Sequence, residues 1–366
     1  MASALDLATH QNPASNAENG WARSPNRREP AELMKPLVDP AGWYPDELRG
    51  RPVWIYSLSG AEQSDILDSV DAFQARGTPL KDATRDDFPL PILGRGLRDI
   101  RAELLDGRGF ALLRGLPTAG RSLAQTAAAF WAIGSHMGRV TSQNSQGHLL
   151  GHVKDLGGDY AKVRGYTTRA EMKFHCDSAD ILSLCCLHPA KAGGAHRICS
   201  SVTIYNEMLK RHPELVRELT FRFYRTRKGS IPPGETEPWV REPIFSVQDG
   251  YFAARGAGAF LFKAQKLDAV PKLTDAQREA IRVYYEIADT VAIDIEFQPG
   301  DISFVMNHVT LHSRSAYEDW PEEHRKRHLL RLWLTTDGAR PMHPDIAREH
   351  RGVLADDAVL KAPLEP

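Results

Sequence analysis

The order of apolar and polar residues along the chain predicts helices in some stretches and strands in others. Apolar residues recur at helical spacing in five stretches, 61–75, 97–105, 123–133, 201–209 and 274–288. Ser122 and Thr274 stand where a side-chain oxygen can accept a backbone N–H and begin a helix. Gly134 follows the third stretch, as expected near a helix end. We therefore expect five helices.

Short apolar runs bounded by turn residues predict strands at 110–113, 181–187, 291–295, 302–306 and 329–334. Further short strands, separated by Pro- and Gly-rich turns, are expected within 221–262. Gly193-Gly194 and Pro299-Gly300-Asp301 mark turns. Many short strands with scattered helices are typical of a mainly β protein with flanking helices and a jelly-roll core, also called a double-stranded β-helix.

The chain shows neither an internal repeat nor an inter-domain linker, and this favours one folded domain. Residues 1–35 are rich in Asn, Ala, Arg, Glu and Pro without periodicity, which predicts a mobile N-terminal arm. Residues 36–366 would then form a single domain with helical insertions and a Pro-rich C-terminal tail. The stretch 141–166 is rich in Gly, Asn, Gln and His, a composition typical of a loop that carries binding groups.

Composition and charge narrow the classes of function. The 366 residues are 42% hydrophobic and 25% charged, with a formal net charge of -1, which argues against a nucleic-acid partner held by a basic field. No apolar run approaches the roughly 18 residues that span a bilayer, and no secretory signal is visible. We expect a cytoplasmic protein without a membrane partner, and the oligomeric state stays open. The four cysteines fall within 176–199 without C-x-x-C spacing, which favours buried free thiols in a reducing compartment.

Phe174-His175-Cys176-Asp177 carries the first candidate chemistry. On a strand, alternate side chains share a face, so His175 and Asp177 would project together while Cys176 points away. A jelly roll brings distant strands side by side, so a far histidine can join them. His312 is the favoured partner because it follows the Pro299-Gly300-Asp301 turn and one apolar strand, and His308 is the competitor. Two imidazoles and one carboxylate on one side of a metal form the facial triad of non-heme Fe(II) oxygenases.

Two arginines follow downstream on the last predicted strand. With a period of two, Arg327 and Arg331 share a face with Leu329 and Trp333. Guanidinium groups on a core strand are costly to bury unless they meet anions, and their fork fits a carboxylate. A dicarboxylate co-substrate is a natural occupant. The alternative is a salt-bridged edge strand beside the acidic residues of 319–323.

Five stretches together resemble the TauD/TfdA family, the taurine dioxygenase or clavaminate-synthase-like branch of Fe(II)- and 2-oxoglutarate-dependent oxygenases. The resemblance covers about residues 95–340. Its stretches are Phe174-His175-Cys176-Asp177, Gly193-Gly194 with Ser200-Ser201, Pro299-Gly300-Asp301, Asn307 through His312-Ser313-Arg314, and Arg327-His328-Leu329-Leu330-Arg331. Gly107 to Pro117 is similar to the family's N-terminal strand.

The resemblance implies a role for each of six residues. His175, Asp177 and His312 would bind Fe(II), and Arg327 would bind the distal carboxylate of 2-oxoglutarate. Arg331 would help at the keto-acid end or hold an anionic group of the substrate. His196 stands two positions after Gly194, where family members often have a threonine that assists 2-oxoglutarate. Cys176 also replaces a frequent threonine, with its side chain expected to face away from the metal.

The implied activity is hydroxylation, or desaturation, of an unactivated C–H bond in a small polar metabolite such as an amino acid or small acid. 2-Oxoglutarate and O2 would be consumed, with release of succinate and CO2. Halogenating relatives have a small residue in place of the carboxylate, so Asp177 argues against halogenation. The alternatives are a non-catalytic metal-binding jelly-roll protein and a zinc-dependent hydrolase.

Candidate substrate contacts lie in the loops that lead to the first ligand pair. Gln143, Asn144 and Glu171 are the candidates, although each could equally serve to satisfy backbone groups of its loop. His148 and His152 have the spacing of a zinc-binding helix, but the flanking glycines disfavour a helix and no H-E-x-x-H glutamate is present.

Overall fold

Two β-sheets packed face to face form the centre of the protein. The computed structural model describes residues 20–158, 165–227, 231, 234–353 and 357–366. Its strands are β1 (Ile55–Ser57), β2 (Phe110–Arg114), β3 (Arg139–Thr141), β4 (Gly151–Lys154), β5 (Met172–His175), β6 (Ile181–His188), β7 (Ala192–Gly193), β8 (His196–Ser200), β9 (Arg222–Thr226), β10 (Trp239–Pro243), β11 (Phe245–Gln248), β12 (Tyr251–Ala254), β13 (Ala292–Ile295), β14 (Ile302–Met306), β15 (Thr310–Arg314), β16 (Tyr317–Glu318) and β17 (His328–Thr335).

Helices surround the sheets. The α-helices are α1 (Pro45–Leu48), α2 (Gly60–Ala75), α3 (Gly94–Asp106), α4 (Leu123–Ser135), α5 (Ser201–Arg211), α6 (Pro213–Leu219), α7 (Ala259–Ala264), α8 (Asp275–Thr290) and α9 (Pro344–Glu349). Short 3-10 helices cover Pro52–Trp54, Leu80–Asp82, Arg85–Asp87, Gly165–Thr167, Glu323–Arg325 and Asp357–Val359. None of the helices in the described part of the chain has both the length and the apolarity needed to cross a membrane.

The sheet order is that of a jelly roll, as predicted. The larger sheet runs β1-β2-β14-β6-β17-β3, with β4 also paired to β17, and the smaller runs β13-β8-β15-β5. Within these two sheets every strand pair is antiparallel except β1 with β2. One apolar cluster joins inward residues of both sheets, among them Leu112, Leu184, Ile198, Ile293 and Trp333. This cluster fills the space between the sheets.

Successive side chains of β17 point alternately into the cluster between the sheets, the inner core, and into the apolar cluster on the side of the helices, the outer core. Leu329 and Trp333 belong to the cluster between the sheets, whereas Leu330, Leu332 and Leu334 pack with the helices outside. α4 lies against β17, and a Cβ at Gly134 would come within 2.7 Å of Leu332 Cδ1. Glycine therefore permits this close packing of helix on sheet.

The five predicted helices correspond to α2, α3, α4, α5 and α8, and both predicted N-caps form. The Ser122 and Thr274 side chains accept from the backbone N–H groups of Gln125 and Gln277, each within a capping box. The five strands predicted from apolar runs also form, as β2, β6, β13, β14 and β17. Local patterns were sufficient for these elements.

Three expectations need correction. β5 ends at His175, so Asp177 lies in the following loop and strand alternation does not orient it. The predicted loop 141–166 contains β4, which pairs with β17; residues 159–164 lie outside the described residues. Of the predicted arm 1–35, residues 1–19 lie outside the described residues, whereas Trp21 is buried in the core and the Ala31 N–H donates to Gly250 O. Residues 20–35 therefore pack on the domain.

The cysteines have free thiols, as predicted. Cys185 belongs to the outer core and Cys186 to the cluster between the sheets, because adjacent strand residues face opposite sides. Burial raises the pKa of the Cys186 thiol to about 12.

Candidate metal centre

His175, Asp177 and His312 lie together at one end of the smaller sheet. β5 and β15 are antiparallel neighbours, and their register places His312 directly opposite His175. The ring centroids of the two histidines are 4.2 Å apart. His175 Nε2 lies 4.0 Å from Asp177 Oδ1, and His312 Nε2 lies 3.9 Å from Asp177 Oδ2. Bonds of about 2.1 Å from each donor let a single ion bridge such separations.

Asp177 lies in a loop, and contacts on its backbone N–H, its carbonyl and its carboxylate orient it. Its backbone N–H donates to Asn307 Oδ1 (3.1 Å), and its carbonyl accepts from Arg255 Nη1 (3.2 Å). Its carboxylate Oδ2 accepts from Trp333 Nε1 (2.8 Å) and lies 3.8 Å from Arg331 Nη1. These contacts replace the strand geometry assumed from the sequence.

The protonation states at this site suit a cation. Burial opposes ionisation of Asp177, but the charge of Arg331 and the hydrogen bond from Trp333 outweigh it and hold its pKa well below the usual range. Burial, with the nearby His175, holds the pKa of His312 well below its usual value, so the ring is neutral. A carboxylate and a neutral imidazole are the forms that bind a metal. The donor set therefore fits Fe(II).

His308, the competing histidine, does not join this site. It precedes β15, is almost fully buried, and its Nε2 lies 3.0 Å from Asp180 Oδ1. Cys176 also points away, as expected, with its Sγ 3.8 Å from the Ala254 carbonyl oxygen.

Arg327 is a buried cation with an incomplete set of partners. Only 3% of it is exposed, its Nη1 has no hydrogen-bond partner among the described residues, and its Nη2 makes a long 3.4 Å contact with Gly194 O. Burial lowers its pKa. A buried guanidinium left unpaired is costly, so this geometry fits an anionic ligand such as the carboxylate of 2-oxoglutarate.

His196 lies near both Arg327 and the metal-ligand candidates. Its ring stacks on Phe297 at 5.4 Å and is 6.1 Å from the ring of His312. Burial, with the charges of Arg327 and His175, lowers the pKa of His196 to about 3, so it is neutral. Its buried Nε2 has no partner among the described residues, which leaves it available to a ligand.

Arg331 is held by groups that the sequence did not link to it. Its Nε donates to Gln143 Oε1 (2.6 Å), and its guanidinium lies 4.4 Å from the centroid of the Tyr166 ring. Gln143 in turn donates to the carbonyls of Leu149 and Arg331. Gln143 and Tyr166 are also two of the residues that line a cavity of about 210 Å³.

The three candidate substrate residues have different surroundings in the structure. Gln143 lines the cavity and also supports Arg331. Asn144 lines the same cavity, but its Oδ1 accepts from the backbone N–H groups of Gln146 and His148, which is the loop-stabilising alternative. Glu171 is exposed, just before β5, and is not among the residues that line the cavity.

Trp333 and Tyr166 were missed as site residues. The sequence placed Trp333 on the face shared by the two arginines, which was the available signal, but its hydrogen bond to Asp177 depends on the approach of a loop. Tyr166 gave no signal, because its contact with Arg331 joins segments far apart in the chain.

Comparisons with known proteins identify the family of this chain. Residues 75–333, more than half of the chain, match the family described as taurine catabolism dioxygenase TauD, TfdA family. The chain is 28% identical to FR-33289 synthase of Streptomyces rubellomurinus over 334 residues, covering 88% of this chain and 97% of that protein. It is 29% identical to taurine hydroxylase-like protein SAT17 of Stachybotrys chartarum over 324 residues, covering 84% and 82% of the two chains.

Solved structures show the same fold at lower sequence identity. Asparagine oxygenase in complex with Fe(II), 2S,3S-3-hydroxyasparagine and succinate superposes with a TM-score of 0.60 at 18% identity, covering 77% of this chain and 94% of that one. The non-heme iron oxygenase OrfP, in complex with Fe, succinate and (3S)-hydroxy-L-Arg, gives a TM-score of 0.57 at 16% identity, covering 79% of this chain and 99% of that one. The chain therefore belongs to the TauD/TfdA family and is an Fe(II)- and 2-oxoglutarate-dependent oxygenase.

Proposed function

We propose that this enzyme hydroxylates a small metabolite with an anionic group, of the amino-acid or small-acid class, and that Arg331 holds that group. The observation that carries the proposal is the position of Arg331, with Nη1 3.8 Å from Asp177 Oδ2 and its guanidinium in contact with Gln143 and Tyr166, two residues that line the 210 Å³ cavity. A guanidinium at this point would fix an anionic substrate next to the metal ligands. The cavity volume suits a metabolite smaller than a drug-sized ligand.

Each residue of the site has a separate task in this proposal. His175, Asp177 and His312 would hold the iron, and Arg327, assisted by neutral His196, would hold 2-oxoglutarate. Iron with 2-oxoglutarate and O2 supplies the oxidation of a C–H bond, with succinate and CO2 as by-products. Gln143 and Tyr166 would keep Arg331 aimed at the substrate, and the apolar cluster between the sheets would limit entry of water.

The relatives support a small polar substrate. One solved neighbour is bound to 3-hydroxyasparagine and another to 3-hydroxyarginine, both hydroxylated amino acids. An amino acid has a carboxylate of the kind that Arg331 would bind.

The test measures succinate release with Fe(II), 2-oxoglutarate and a panel of amino acids, small carboxylates and sulfonates, each paired with its neutral amide analogue. We expect turnover with an anionic substrate, weak turnover with its neutral partner, and none in His175→Ala. Lack of turnover across the panel, or equal turnover of anion and amide, would contradict the proposal.

The two arginines are distinguished by which KM changes. Replacing Arg327 with Gln should raise the KM for 2-oxoglutarate about 10- to 100-fold, because a charge-assisted hydrogen bond contributes roughly 1.5–3 kcal/mol. Arg331→Gln should raise the KM for the substrate by a similar factor and leave that for 2-oxoglutarate nearly unchanged. Arg325→Gln, at an exposed arginine over Trp320, is the control. An unchanged substrate KM in Arg331→Gln would overturn the role of Arg331.

A further inference from the structure

A second cluster of two histidines and an aspartate lies in the interior, outside the metal centre described above. It consists of Asp180, His308 and His350, which are 5%, 1% and 2% exposed. One donor atom from each of the three lies within 4.8 Å of the others. Asp180 and His308 come from the two segments that carry Asp177 and His312, whereas His350 directly follows α9 near the C-terminus.

The cluster is ordered by contacts on the carboxylate and between the rings. His308 Nε2 lies 3.0 Å from Asp180 Oδ1, and Asp180 Oδ2 accepts from the Thr336 N–H at 2.9 Å. The rings of His308 and His350 are 4.9 Å apart, at an angle of 63°. The carboxylate is thus fixed by the sheet, and both imidazoles lie beside it.

Three ring nitrogens of this cluster have no hydrogen-bond partner among the described residues. They are Nδ1 of His308 and both ring nitrogens of His350. Burial holds the pKa of His350 well below its usual value. The nearby Ala179 carbonyl opposes this shift, but it makes no hydrogen bond to either ring nitrogen. Buried polar atoms normally have partners, so a polar species is expected between these rings.

We propose that Asp180, His308 and His350 bind a divalent transition-metal ion, with zinc as the best match, separately from the catalytic iron. Imidazole nitrogens and a carboxylate oxygen are donors that zinc accepts, and one donor atom from each of the three residues lies within 4.8 Å of the others, close to the separations that bonds of about 2.1 Å to one ion require. Arg255, whose charge acts on His350, is itself paired with Glu242 at 3.2 Å, which reduces its repulsion of a cation.

Such an ion would have a structural role. It would join the segment after α9 to both segments that supply iron-ligand candidates, since Asp180 follows Asp177 by three positions and His308 precedes His312 by four. Because binding to the folded state alone stabilises a protein, zinc should raise the thermal unfolding midpoint.

The test counts zinc in variants that separate the two sites. The double variant His175→Ala/His312→Ala removes two of the three donors at the iron site. After chelation and dialysis against zinc, we expect it to retain one zinc per chain, measured by mass spectrometry of the metal, and to show a zinc-dependent rise in its unfolding midpoint. Adding His350→Gln should abolish both. Adding His152→Gln instead, at a buried histidine outside the cluster, should leave both unchanged.

Two results would overturn the proposal. One is a double variant that binds no zinc, as expected if water fills the cluster. The other is a triple variant with His350→Gln that binds zinc as tightly as the double variant. Should that triple variant fail to fold, X-ray absorption at the zinc edge of the double variant decides. A zinc ion coordinated by two imidazoles would support the proposal, and a zinc ion without imidazole ligands would contradict it.

Discussion

At the scale of single residues, Trp333 helps to orient the side chain of Asp177. Trp333 lies in β17 on the face between the sheets, and its Nε1 donates to Asp177 Oδ2 at 2.8 Å. The hydrogen bond aims one carboxylate oxygen, while the other remains near His175. Groups that orient a ligand in this way tune metal affinity although they do not touch the metal.

Replacing Trp333 with Phe should weaken metal binding while leaving the ring packing largely intact. We expect the dissociation constant for Fe(II), measured anaerobically by titration, to rise about 10- to 100-fold, the usual effect of losing such a supporting hydrogen bond. Trp131→Phe is the matched control, because Trp131 is also buried and its Nε1 donates to the Ala83 carbonyl instead of a metal-ligand candidate. Equal metal affinity in the two variants would show that the Trp333 hydrogen bond does not orient Asp177.

At the scale of elements, the turn before β14 is anchored to β2 by an ion pair between partly exposed Arg114 and fully buried Asp301. Gly300 has φ of +84°, and a Cβ there would lie 2.1 Å from Leu116 O, so glycine is required. Asp301 is fully buried and accepts from Arg114 Nε (2.9 Å) and Nη2 (2.8 Å). The pair fixes the start of β14, the strand that leads towards His312 in β15.

Arg114→Leu should destabilise the fold markedly. It leaves the Asp301 carboxylate buried without its cation, which costs about 3 kcal/mol in the free energy of unfolding. Chemical denaturation followed by circular dichroism measures this loss. Arg282→Leu, which removes exposed ion pairs with Glu279 and Glu286 on α8, should cost much less, because water screens exposed charges. Comparable losses in the two variants would mean that burial of Asp301 does not govern the stability of this turn.

At the scale of the whole molecule, buried neutral histidines make stability dependent on pH. Burial, with the nearby His152, lowers the pKa of His328 to about 3, and burial also lowers that of His152. The two rings share a hydrogen bond of 2.8 Å, and His152 Nε2 lies 2.9 Å from Pro363 O. Neither ring is easily protonated while the protein remains folded.

The free energy of unfolding should therefore fall as the pH decreases from about 7 towards 3. In this window the unfolded chain binds protons on these histidines and the folded protein does not, so acid favours unfolding, by up to about 1.4 kcal/mol per pH unit for each group. His328→Gln should show a shallower dependence in denaturation measured across this range. His324→Gln, at an exposed histidine, should keep the wild-type slope. An unchanged slope in His328→Gln would contradict this account.

Much of the fold and the composition of the candidate site could be predicted from neighbouring residues. Helix starts at Ser122 and Thr274 follow from capping, and the division of β17 into two faces follows from strand alternation. These features depend on residues a few positions apart, so their pattern is visible in the sequence.

Contacts between distant segments could not be predicted in the same way. Trp333 reaches Asp177 across 156 positions, and Arg331 reaches Gln143 across 188. The sequence named both histidine candidates, but strand register places His312 opposite His175, while His308 is turned towards Asp180. Such pairings depend on how whole sheets and loops pack, and this packing sums many weak contacts that no short stretch of residues contains.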